Sequence, residues 1–132
     1  MHEWALAEAI LASANETAQK QHLKTVSEVH IKLGQLQQID QNILKFAFTQ
    51  LKEGKLKNAK LTIKTQKPKL QCNACGNTWA LNAKNLDEDT AEAIHFIPEI
   101  AHTYIKCQKC KSPDFTILTG RGIWLQMIKG AR

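Results

Sequence analysis

Apolar residues recur at three- and four-residue steps near the start of the chain: Leu6, Ala7, Ile10, Leu11, Ala14 and Ala18 fall on one stripe. That spacing predicts a helix from Glu3 to about Gln21, and the abundant alanine favours helix intrinsically. From Thr25 the period becomes two. In "TVSEVHIKLG", Val29, Ile31 and Leu33 alternate with Glu28, His30 and Lys32, which predicts a strand with one wet face. Asp40 then offers an N-cap for a second helix, "QNILKFAFTQLKE". Ile39 and Leu44 are spaced as a hydrophobic staple, and Gly54 supplies the stop. A second strand, "AKLTIKT", sets Leu61 and Ile63 against Lys60, Thr62 and Lys64, and Pro68 closes it. The last alternation, "GIWLQMIKG", predicts a strand with Ile123, Leu125 and Met127 on one face.

Strand, helix and strand in that order make a right-handed parallel βαβ unit. The expected fold is α+β: a three-stranded mixed sheet with two helices on one face, plus an inserted zinc-ribbon-like module. Residues 1–70, completed by the last strand in 120–132, form the first domain, and residues 71–119 form the module. Because the last strand rejoins the first domain, both linkers must cross the boundary side by side. Neither an internal repeat nor a low-complexity tract interrupts this plan.

Charge divides along the same line. Residues 1–70 carry 11 lysines against 6 acids and residues 120–132 add 3 basic groups, whereas residues 71–119 carry 4 lysines against 6 acids. A basic body thus bears an acidic appendage. The densest basic run, "KEGKLKNAKLTIKTQKPK", contains no aromatic residue for base stacking. Lysine on the wet face or edge of a strand is the ordinary reading, with docking to an acidic protein surface as its secondary use and no specific nucleic acid expected. No apolar run reaches the roughly 18 residues of a membrane span, and Glu8 breaks the one stretch that resembles a secretory leader. A cytoplasmic, reducing location follows, in which paired cysteines point to metal rather than to disulfides.

All four cysteines lie in the acidic section, as "CNAC" at Cys72–Cys75 and "CQKC" at Cys107–Cys110, with 31 residues between the pairs. Two-residue spacing lets both thiolates of a knuckle face one ion, and Gly76 fits the positive-φ position that ends the first. Four thiolates in a tetrahedron suit structural Zn(II), whose filled d shell imposes no competing geometry. A redox CxxC would open a helix inside a βαβ unit, which neither pair does; an iron–sulfur cluster is the other metal reading. Trp79, just past the first knuckle, is expected to pack on the small module core, and Trp124 to be core or interface. His22 and His30 read as surface residues. No P-loop, GxSxG or dinucleotide fingerprint is present, and the cysteines are committed, so no enzyme is expected.

The start, "MHEWALAEAI", places His2 and Glu3 directly after Met1. The ordinary reading puts Glu3 in a first helical turn, where a negative charge suits the macrodipole. The chelating reading closes consecutive five- and six-membered rings on one metal, using the terminal amine of Met1, the His2 backbone nitrogen and the His2 imidazole. A variant uses the backbone nitrogens of His2 and Glu3 with the imidazole. Nitrogen-rich tetragonal sites of this kind favour Ni(II) or Cu(II) and leave one position for a ligand from elsewhere.

"MHEWALAEAI", the paired knuckles and the returning "GRGIWLQMIKG", in this order, resemble the HypA/HybF family of nickel metallochaperones, in its archaeal type with a long gap and Gln-Lys inside the second knuckle. The resemblance implies Ni(II) as transient cargo, with His2 the essential ligand and Glu3 supporting it. It also implies zinc on Cys72, Cys75, Cys107 and Cys110. The implied partners are the nickel-handling GTPase HypB and the [NiFe] hydrogenase large subunit. For the remaining nickel ligand the acidic section offers His95, in "EAIHFIPE", with His102, in "IAHTYIK", as the alternative. Outside the family, the competing functions are a zinc-ribbon nucleic-acid-binding protein and a purely structural zinc adaptor.

Overall fold

The computed structural model describes residues 2–37, 39–81, 93 and 105–132. The elements are α1 (Glu3–Lys20), β1 (Thr25–Gly34), α2 (Gln41–Leu51), a single 3-10 turn (Gly54–Leu56), β2 (Lys60–Gln66), β3 (Lys69–Cys72), β4 (Thr78–Ala80), β5 (Phe115–Thr119) and β6 (Ile123–Ala131). They divide into two compact units: Met1–Lys32, Ile39–Lys64 and Ile123–Arg132 form the first, and Leu33–Gln38 and Thr65–Gly122 the second.

In the first unit the helical stripe is buried as its spacing requires. Ala7, Ala14 and Ala18 are fully inaccessible, so α1 approaches its neighbours at methyl distance, and Ile10 and Leu11 fill the remaining space. From α2 come Leu44, Ala47 and Phe48, and from β1 come Val26, Val29 and Ile31, all in the same apolar cluster. Asp40 caps α2, its Oδ1 accepting from the N–H groups of Asn42 at 2.9 Å and Ile43 at 3.1 Å. Ile39 and Leu44, the residues spaced for a staple, both pack into that cluster.

The sheet of this unit is mixed and ordered β2-β1-β6. β1 and β2 end together, with the Gln35 N–H on the Gln66 carbonyl at 2.9 Å. β6 runs antiparallel to β1, from Gly34 N–H on the Gly122 carbonyl at one end to Lys24 N–H on the Ala131 carbonyl at the other. The expected alternation in β6 holds for Ile123 and Leu125 and then slips by one residue. Ile128 joins the core in place of Met127, which is 41 % exposed. A strict two-residue period cannot anticipate such a slip, because both residues are apolar.

The second unit is a smaller antiparallel sheet ordered β4-β3-β5. β3 pairs Leu70 with Trp79 on one side and with Ile117 on the other. Its buried apolar cluster is small among the described residues: Leu36, Leu70, Ile105 and Phe115, with Trp79, Leu81 and Ile117 packed on it. Trp79 meets Phe115 edge to face, with ring centroids 5.9 Å apart, so it packs on the module core as expected. Leu36 reaches this core because Leu33–Gln38 belongs to the unit, held by its own N–H on the Gly120 carbonyl at 2.9 Å.

Here backbone lies on backbone. A Cβ on Gly34 would fall on the main chain of Gly120 and Arg121, and a Cβ on Gly120 would fall on Pro68. Main chain cannot step aside as a side-chain tip can. Gly34→Ala is therefore expected to destabilise by about 2–3 kcal/mol, the cost of overpacking a well-packed site. Urea unfolding checks this; a loss below about 0.5 kcal/mol, within the range of inconsequential surface changes, would show that the three segments part easily.

Candidate metal sites

The two knuckles bring their sulfurs to one point. The Sγ atoms of Cys72, Cys75, Cys107 and Cys110 all lie within 4.8 Å of one another. Cys72 is 3.5 Å from Cys110, and Cys75 is 3.7 Å from Cys107. A tetrahedron with Zn–S bonds of about 2.3 Å has edges of about 3.8 Å. The spacing therefore fits a four-sulfur site that could hold a metal ion and is consistent with zinc. Each pair contributes one buried cysteine, Cys72 or Cys107, and one exposed, Cys75 or Cys110.

The knuckles are built by the same backbone bonds. The Cys72 carbonyl accepts from Gly76 N–H at 3.0 Å, and the Cys107 carbonyl accepts from Lys111 N–H at 2.8 Å. Cys72 N–H donates to Asn77 O at 2.8 Å, and Cys107 N–H donates to Ser112 O at 2.9 Å. The residue after each second cysteine is left-handed, Gly76 at φ +78° and Lys111 at φ +65°. Glycine is thus used where the turn requires it in one knuckle and omitted in the other. Asn73 ties the two together: its N–H donates to the Asp114 carbonyl at 2.9 Å and its Nδ2 to Asp114 Oδ1 at 3.0 Å.

Electrostatics explain why this cluster wants a cation. Hydrogen bonds from backbone N–H groups, that of Cys110 first, hold the Cys107 thiol down to about 6 despite its burial. Cys72 is lowered in the same way, chiefly by the N–H of Cys75. Cys110 goes the other way: the Ser112 N–H lowers it, but the neighbouring sulfurs, Cys72 first, outweigh that and push it up to about 12. Thiolates this close repel, so the last must keep its proton unless a central divalent ion offsets the charge.

At the other candidate site, His2 is the N-cap of α1 in a right-handed conformation, and its side chain makes no capping bond. Its carbonyl accepts the first helical bond, from Leu6 N–H at 2.9 Å. Glu3 turns inward. It is only 5 % exposed, and its Oε2 accepts the Asp40 N–H at 3.1 Å. A hydrogen bond from the terminal ammonium first, and the Asp40 N–H next, hold its carboxyl down to about 2. The sequence places Asp40 as a cap for α2; the structure adds that the same residue's N–H fastens the start of α1. No local pattern carries that link, which joins residues 37 apart in the chain.

Of the residues expected to hold metal, the structure describes His2, Glu3 and the four cysteines. Met1, His95 and His102 lie outside the described residues. His22 is exposed, as expected, in a left-handed turn at φ +58°. His30 lies on the outer side of β1, with Nε2 3.2 Å from Glu28 Oε1. Trp124 is 41 % exposed, which excludes the core.

Comparison with known proteins gives one answer. The profile of the HypA family, described as "Hydrogenase/urease nickel incorporation, metallochaperone, hypA", matches residues 1–130. The hydrogenase maturation factor HypA of Pyrococcus horikoshii is 39 % identical over 132 residues, covering 98 % of this chain and 95 % of that protein. That of Ignicoccus hospitalis is 31 % identical over 124 residues, covering 91 % and 89 %. Among solved structures, the solution structure of the nickel metallochaperone HypA from Helicobacter pylori shares the fold, with a TM-score of 0.66 at 22 % identity over 99 % of this chain and 98 % of that one.

Lys111→Gly is expected to raise the stability of the second unit by up to about 1 kcal/mol, and Gly76→Ala to lower it by about the same. Chelator-resisted unfolding of the metal-loaded protein measures both. Glu3→Gln tests the inward carboxylate. A group whose folded pKa is depressed stabilises above its unfolded value, so the stability gap between wild type and Glu3→Gln should be full at pH 7. It should close as pH falls from about 4.5 towards about 2, the interval between the ordinary and the folded value. A gap independent of pH would mean that the ionised carboxylate is not what holds α1 to α2.

Proposed function

The chain belongs to the HypA family of nickel metallochaperones that serve hydrogenase maturation, and from that premise we propose how it carries its cargo. Ni(II) binds at the start of α1. The ligands are the His2 imidazole and backbone nitrogens, either the Met1 amine with the His2 nitrogen or the nitrogens of His2 and Glu3. The observation that carries this reading is where the helix begins. α1 starts at Glu3 and its first bond runs from Leu6 N–H to the His2 carbonyl, so the exposed His2 side chain stands at the very start of the helix, next to the Glu3 backbone. The Glu3 carboxylate is turned to the Asp40 N–H, so its side chain holds the helix start, and in the variant that uses Glu3 the backbone nitrogen is its contribution to the metal.

His95 supplies the remaining ligand, with His102 as the alternative. Zn(II) sits on Cys72, Cys75, Cys107 and Cys110 with no open position, and it folds the second unit without catalysing anything. The chain passes its nickel to the [NiFe] hydrogenase large subunit together with the GTPase HypB, in the cytoplasm, by salt-sensitive docking of its basic body. Among the described residues no helix is long and apolar enough to cross a membrane.

Two substitutions separate the metals. His2→Ala should abolish tight Ni(II) binding and leave zinc content and thermal stability nearly unchanged, because His2 is exposed and carries no core. Cys110→Ser should lose zinc and loosen the second unit while α1 and α2 keep their helical circular dichroism. Isothermal titration with Ni(II) and metal analysis of the purified protein read both out. Undiminished nickel affinity in His2→Ala would end the proposal, as would a full equivalent of zinc in Cys110→Ser for the four-cysteine site.

A further inference from the structure

The sheet of the first unit has two edges, and the sequence treats them differently. β2, at one edge, exposes Lys60 and Lys64 within seven residues, the usual charge guard against strand addition. β6, at the other, runs nine residues with Lys129 as its one charged side chain. Among the described residues its outer row of backbone groups pairs with no strand. Trp124 and Met127 on it are each 41 % exposed. A nine-residue edge with a single charged side chain invites another strand. A shallow depression of about 380 Å³, lined by His30, Thr62, Lys64, Gln126 and Met127 among others, reaches β6 through its last two residues. An apolar side chain entering beside Met127 has room to lie there.

Charge identifies the occupant. Arg121 stands two residues before β6, Lys129 lies near its end and Arg132 follows it, and residues 120–132 contain no acid. All three basic residues are exposed. Lys129 approaches Glu28 at 3.8 Å with its side chain 54 % exposed; such a pair is worth less than about 1 kcal/mol and yields readily to a better partner. A second copy of this chain is a poor fit. Antiparallel pairing of β6 with itself would set Arg121 of one copy against the Lys129–Arg132 end of the other, and like charges placed opposite one another destabilise a sheet. We propose that β6 receives, as a fourth strand, an extended segment of a partner protein that is apolar in its middle and acidic at both ends. This assignment stands independently of the nickel site, since it uses no residue of it.

The test titrates isotope-labelled, zinc-loaded full-length protein with two synthetic peptides. Both have a core of alternating valine and threonine; one is flanked by glutamates and the other by lysines. The acid-flanked peptide is expected to bind about tenfold tighter or better, to weaken as salt rises, and to shift backbone amides within residues 123–131. Met127→Lys, which adds a guard charge at an exposed position, should weaken it about tenfold. Arg121→Glu with Lys129→Glu should transfer the preference to the lysine-flanked peptide. Equal affinity for the two peptides, or shifts centred on the helices or on β2, would overturn the proposal. So would concentration-dependent self-association of the unliganded protein that Met127→Lys abolishes, because a second copy would then be the occupant.

Discussion

Four sulfur atoms within 4.8 Å of one another form an unstable arrangement of charge. Backbone N–H groups at the two knuckles favour thiolate at Cys72 and Cys107, and the accumulated negative charge then denies it to Cys110. A divalent cation would resolve the conflict by letting all four ionise. The second unit has little else to rely on. Its buried apolar cluster is small among the described residues, and its sheet is three short strands. A metal that relieved the mutual repulsion of the sulfurs would therefore also help keep β3, β4 and β5 paired. The matching hydrogen bonds of the two knuckles bring the four sulfurs to one point, down to a left-handed Lys111 where the first knuckle has Gly76.

The first unit solves a different problem. It needs a helix start that stays ordered. Glu3 supplies the order: its buried carboxylate is held by the N–H of Asp40, whose own side chain caps α2. One residue thereby fixes the beginnings of two helices, and His2 sits just outside that fixed point with its side chain exposed. Burial of a carboxylate ordinarily costs several kcal/mol unless it is hydrogen-bonded in its charged form. Here the bonds favour the charged form so strongly that the carboxyl is held near 2.

How much of this could be read from the residues depends on how local each cause is. The strand "TVSEVHIKLG" occupies Thr25–Gly34 as expected, because Val29, Ile31 and Leu33 alternate with Glu28, His30 and Lys32; the buried Val26, out of that period, was not legible from it. The cysteine cluster was equally legible, since the two-residue spacing itself imposes the knuckle. Met127 was not, because apolar residues stand at both 127 and 128 and nothing in the period says which one turns inward. Nor could the left-handed backbone at Lys111 be read from its own residue type; comparison with Gly76 in the other knuckle was the one available signal. The inward turn of Glu3 lay beyond local reasoning altogether. A carboxylate in a first helical turn is adequately explained by the macrodipole, and that sufficiency concealed a bond to an element 37 residues away.

Glycine and charge show the same contrast between what a residue permits and what its surroundings demand. Gly34 is needed for the approach of another main chain and not for its dihedral angles, so a survey of turn propensities passes over it. The lysines of β2 and the near absence of charge from β6 are each unremarkable alone. Placed on opposite edges of one sheet, they set a charge-guarded edge against one with a single charged side chain. A metallochaperone with partners would need surfaces for cargo and partner that do not compete. In the proposed fourth-strand pairing, β6 would meet a partner through backbone groups that belong neither to the helix start nor to the four-cysteine cluster.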